Sequence, residues 1–147
     1  MDPLRVAELE RRLGYRFRDP RLLECALTHA SYAHEHPSVT DHERLAFLGD
    51  AALALVVAEH VTTADPEAAV GVLTPRRAEL VAGARLARWA VELELPALLR
   101  LGRGEDQSGG RTRESILATA LEAVLGAIYR EGGLDAARAV IGRLAAW

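Results

Sequence analysis

Asp41-His42-Glu43-Arg44-Leu45-Ala46-Phe47-Leu48-Gly49-Asp50-Ala51-Ala52-Leu53-Ala54-Leu55-Val56-Val57-Ala58-Glu59-His60 carries the strongest periodic signal in the chain. Leu45, Leu48, Ala52, Leu55 and Val56 recur at helical spacing, which predicts one long helix from about Asp41 to His60. Gly49 inside a helix costs stability. Its presence there predicts close packing against a second helix.

Working outward, the other segments read as helices too. Pro3 to Leu13 places Leu4, Val6, Leu9 and Leu13 on a rough apolar stripe, and Gly14 ends it. Asp19-Pro20 reads as an N-cap followed by proline in the first turn, opening a helix to about Ala30. A polar loop with two histidines is expected from His34 to Thr40. A turn-rich connection follows the long helix, from Thr62 to Gly71. Thr74-Pro75 then predicts a helix to about Leu93, with Leu80, Ala84, Ala87 and Val91 on one face and Pro96 as its break. The glycine-rich, charged run Leu101 to Arg111 reads as a loop. Two further helices, about Thr112 to Arg130 and Leu134 to Ala146, flank Gly132-Gly133. The expected fold is all-α, one domain over residues 1–147.

Composition agrees. Half of the 147 residues are hydrophobic, chiefly Ala and Leu, and only seven are aromatic; such a chain favours helix over strand. Net charge is −3, without the overall basic excess that grips nucleic acid, yet every basic residue is arginine, the side chain best shaped for phosphate. Cys25 is the lone cysteine, expected as a reduced core thiol, and the N-terminus lacks a signal-peptide pattern. The uninterrupted apolar run Ala51 to Ala58 is too short for a bilayer span. A soluble, cytoplasmic protein is expected.

Positions 43, 46, 47 and 50 share one helix face, as do 119 and 122 on the later helix. Side-by-side packing of those helices would let Asp50 meet Glu122. Spacing alone favours two solvated surface acids. The five histidines lack a zinc-ligand pattern with cysteine; capping, packing or surface roles are expected for them. Gly102, Gly104, Gly109 and Gly110 follow no strand, so they are not read as a nucleotide fingerprint.

Glu43 to Asp50 resembles the signature Glu-Arg-Leu-Glu-Phe-Leu-Gly-Asp of the ribonuclease III family at seven of eight positions. Other segments fit in order: Arg11 to Phe17, Ala26 to Tyr32, Leu73 with Arg77, Leu80 and Val81, Leu101 to Glu105, Ser108 to Arg111, and Gly126 to Tyr129 with Gly132-Gly133. The resemblance implies the all-α nuclease-domain fold, a homodimer with Phe47 entering the partner, double-stranded RNA as substrate, and Mg²⁺ or Mn²⁺ held by four acids. Residue by residue, it carries over Asp50 and Glu122 as metal ligands and Glu43 as an auxiliary acid. Ala46 and Thr119 stand where the family has a ligand glutamate and a ligand aspartate. Arg103, Arg111 and Arg113 are candidate RNA contacts.

Two readings follow. One is a catalytically impaired dimeric module that associates with RNA or a protein partner. The other is a Mg²⁺-dependent endoribonuclease. Bacterial relatives carry a double-stranded-RNA-binding domain after the catalytic one. This chain ends at Trp147, so RNA binding by it alone is expected to be weak.

Overall fold

The computed structural model describes residues 1–147. Asp2 and Asp19 act as N-caps: their carboxylates accept the backbone N–H of Leu4 and Arg21, and a proline follows each cap. They open α1 (Pro3–Leu13) and α2 (Pro20–Ala26). Then come α3 (Ala30–Glu35), α4 (Glu43–Ala64), α5 (Val70–Leu80), α6 (Gly83–Glu92), the single turns α7 (Leu95–Leu98) and α8 (Arg103–Gln107), a 3₁₀ turn at Gly110–Thr112, and α9 (Glu114–Ala145). The only extended pairing is an isolated bridge between Thr28 and Arg100.

The core is the α4–α9 contact, the most extensive between any two elements, with α6 and α2 packed on α9 and α5 on α4. Leu45, Leu53, Val56 and Val57 of α4 meet a nearly solid apolar run in α9, Ile116 to Ile128, broken only by Thr119 and Glu122. A helix buried on several sides loses its amphipathic stripe, which is why that run has little helical periodicity. By length and composition alone α4 is apolar enough to cross a bilayer. Its buried face is spent on α9.

Gly49 and Gly126 let the two helices touch backbone to backbone. A Cβ at Gly49 would lie 1.7 Å from the Glu122 carbonyl oxygen, and one at Gly126 would lie 2.0 Å from that of Leu45. The close crossing expected at Gly49 is therefore present, and Gly126 is its counterpart. Gly133, at φ 79° and ψ −174°, interrupts α9 and separates its two halves, where Gly132-Gly133 was expected to end one helix and start another.

Several local expectations need correction. The second helix stops at Ala26, and residues 30–35 form a separate helix where the polar loop was to begin. His29 makes this possible: its Nδ1 accepts the Ser31 N–H at 3.1 Å, an N-cap. The long helix runs to Ala64. Pro75 lies inside α5 rather than in a first turn. α5 buries no residue fully, so water can satisfy the carbonyl that the proline leaves free. The expected helix from Pro75 to Leu93 breaks at Val81-Ala82. The buried face beyond the break is Leu86, Ala87, Trp89 and Ala90, while Ala84 and Val91 are exposed. The run 101–111 is not all loop, since α8 and the 3₁₀ turn fall within it. Leu4, counted on the apolar stripe of α1, is 81% exposed.

Candidate active site

The glycine crossing fixes what meets above it. Asp50 follows Gly49, and Glu122 is one turn before Gly126. Their carboxyl groups lie within hydrogen-bonding reach, Asp50 exposed and Glu122 half-buried. Burial, the hydrogen bond to Asp50 and its negative charge together push Glu122 up to about 7. Glu122 therefore keeps its proton to higher pH than an ordinary carboxyl group.

The remaining positions contribute little. Glu43 is exposed in the first turn of α4, seven residues from Asp50 and so about 10 Å away along the axis. Ala46 is buried and offers only a methyl group. The Thr119 hydroxyl donates to the Ser115 carbonyl at 2.8 Å, back into its own helix. Nowhere in the chain do three or more His, Cys, Asp or Glu side chains gather.

Burial also sets the histidines near the start of α4. His42 is fully buried, its Nδ1 3.2 Å from the Ala26 carbonyl oxygen, and its ring meets that of His29 edge-on at 5.7 Å. Burial holds both below the usual imidazole range. The Ser31 hydroxyl lies 2.8 Å from His29 Nδ1 and accepts the Gly102 N–H, so these groups join α3 to the segment before α8. Half-buried Cys25 points its thiol at the Asp41 carbonyl, and burial raises its pKa.

The three loop arginines differ in what they have to offer. The Arg111 guanidinium donates to the carbonyls of Pro96 and Leu99 at 2.9 and 2.7 Å and pairs with Asp106. Arg113 pairs with Glu105 and donates to the Ser108 carbonyl. Both clamp the approach to α9. Arg103 is held through its backbone N–H by Glu35, and its side chain is free.

The Glu122 shift has a direct consequence for stability. Its folded-state pKa lies above the carboxylate's ordinary 4.5. The associated stability is complete below that value and is lost as pH rises through about 7. Glu122→Gln supplies a neutral donor at every pH. We expect it to leave the melting temperature unchanged at pH 5 and to raise it at pH 8. Discounted for partial exposure, the gain is about 1–2 kcal/mol, or roughly 2–6 °C. An equal effect at both pH values would show that Glu122 does not keep its proton in the folded chain.

Comparison with known proteins gives a consistent result. The sequence model of the family described as Ribonuclease-III-like matches residues 19–146. Ribonuclease 3 of Oleidesulfovibrio alaskensis is 55% identical over 126 residues, covering 85% of this chain and 55% of that protein. Ribonuclease 3 of Caldanaerobacter subterraneus is 48% identical over 134 residues, covering 90% and 59%. The chain thus spans somewhat more than half the length of these curated relatives. Among solved structures, the nuclease domain of ribonuclease III from Campylobacter jejuni is 40% identical, with a TM-score of 0.89, covering 95% of this chain and 94% of that one. That structure is described as showing flexibility in the region involved in dimer formation.

Proposed function

The chain belongs to the ribonuclease-III-like family, and on that premise we propose that it is an RNA-associated dimeric domain whose own phosphodiester cleavage is impaired. The observation that carries this reading is that two positions facing the Asp50–Glu122 pair offer no acid: Ala46 presents a methyl group, and the Thr119 hydroxyl is bonded back into its own helix. Mg²⁺ requires ionised or strongly polar oxygens in near-octahedral array. Ala46 supplies none, and the Thr119 hydroxyl is directed to Ser115. The donor set does not fit a tightly held divalent ion.

A specific observation favours the second reading: the curated relatives at 48–55% identity are named Ribonuclease 3. A cleavage assay on long double-stranded RNA with Mg²⁺ and then Mn²⁺, run beside an active family enzyme, separates the two. The impaired reading expects intact RNA. Efficient cutting, abolished by Glu122→Gln, would establish the endoribonuclease. Arg103, the loop arginine with a free side chain, is the first RNA contact to test, and Arg111 and Arg113 would contribute only after leaving their present partners.

Phe47 supports the dimer. It is 83% exposed, and Ala51 and Leu55, four and eight residues on, are also exposed. It is therefore not part of this chain's own core. An aromatic anchor buried against a second copy typically contributes about 2 kcal/mol or more to association. Phe47→Ala should weaken the dimer roughly thirtyfold, as read by sedimentation. A wild-type chain that stays monomeric at micromolar concentration would exclude it.

A further inference from the structure

A cleft of about 590 Å³ lies between α2, the 38–41 segment, the start of α4 and the middle of α9. It includes none of Glu43, Asp50, Thr119 or Glu122. Four arginines line it, Arg21, Arg44, Arg100 and Arg130, against two carboxylates, Glu24 and Asp41. A protein with net charge −3 thus gathers a local positive excess at this concavity.

The carboxylates are already engaged. Glu24 pairs with Arg100, and Asp41 Oδ1 accepts the Glu43 N–H at 2.9 Å. Arg21 pairs with Asp19. Arg44 and Arg130 form no ion pair and no side-chain hydrogen bond. Arg130 stands close enough to the Cys25 thiol for its charge to be felt there. Ser38 and Thr40 add hydroxyls to the same wall.

We propose that this cleft is a binding site for a phosphate oxyanion, held chiefly by Arg44 and Arg130. A guanidinium fork matches the geometry of phosphate oxygens, and Arg44 and Arg130 stand unpaired on the wall of one cleft. The hydroxyls can add neutral hydrogen bonds, and the volume falls within the range of small-ligand sites. The phosphate arrives either free or on the end of an RNA strand. The site is independent of whether the Asp50–Glu122 pair cleaves anything.

Arginine-selective dicarbonyl labelling of the wild-type protein, read by mass spectrometry, tests this without altering the fold. Inorganic phosphate at 10 mM should slow modification of Arg44 and Arg130 at least fivefold and leave exposed Arg88 on α6 unchanged. Calorimetric titration should give millimolar binding of inorganic phosphate, weakened at least tenfold in Arg44→Gln/Arg130→Gln and unaltered in Arg88→Gln. A 5′-phosphorylated dinucleotide that binds tenfold tighter than inorganic phosphate would identify an RNA end as the carrier, whereas equal binding would identify the free ion. Equal protection of Arg88, equal protection by acetate, or no protection at 10 mM phosphate would overturn the proposal.

Discussion

Ala46→Glu combined with Thr119→Asp is expected to turn a site that ignores divalent ions into one that depends on them. Position 46 is one turn before Asp50, and position 119 is three residues before Glu122, so longer acids there extend toward the same centre. Four clustered carboxylates repel one another without a cation. The metal-free double variant should therefore melt below wild type. At 10 mM Mg²⁺, with a dissociation constant near 0.1 mM, it should recover about 2.7 kcal/mol, or roughly 5–10 °C. The wild-type melting temperature should barely move under the same titration. Because the acids act as a unit, each single change should gain far less than the pair. Metal-dependent cleavage of double-stranded RNA should appear with the double variant. A double variant as indifferent to Mg²⁺ as the wild type would mean that the two positions do not converge.

Gly49→Ala should produce the largest loss of stability of any single methyl addition in the chain. The new Cβ would sit 1.7 Å from the Glu122 carbonyl oxygen, a backbone atom that cannot rotate away. The helices must separate, and the cavity and lost contacts spread along the α4–α9 core. We expect at least about 3 kcal/mol, or roughly 6–12 °C, by urea and thermal unfolding. Gly126→Ala should cost nearly as much, and the double change less than the sum, since one separation relieves both clashes. Gly104→Ala is the control: it lies in α8 with nothing within 4 Å of the added carbon, so it should be neutral or stabilising by up to about 1 kcal/mol. Separation of α4 from α9 would also part Asp50 from Glu122, so the pH dependence of stability should flatten in Gly49→Ala.

Much of this architecture is legible in the sequence. The apolar spacing through Leu45, Ala52 and Val56 marks α4, and Gly49 announces a close neighbour. Which helix that neighbour is cannot be read from spacing, because α9 is apolar on nearly every face; the meeting of Asp50 and Glu122 depends on that pairing. The break between α5 and α6 is hidden for a related reason: Ala84 and Val91 continue a plausible stripe, but burial falls on Leu86 and Trp89. α3 buries nothing fully and is started by a histidine cap, so no apolar pattern signals it. Arginines give no local sign of their fate. Arg111 is consumed by carbonyls more than ten residues away and Arg100 by Glu24, while Arg44 and Arg130 stay free on the wall of a cleft that exists only in the folded chain.

In the impaired reading Glu122 keeps a proton beside Asp50 where a metal centre would hold an ion. That reading is tested most directly by carbon-13 NMR titration of the Glu122 carboxyl in the wild-type protein, with and without 10 mM Mg²⁺. A midpoint near 7 is expected in both titrations, because two carboxylates without acids at positions 46 and 119 hold Mg²⁺ too weakly to displace the proton. A midpoint driven below 4.5 by Mg²⁺ would show the metal displacing the proton, and with it a working metal site.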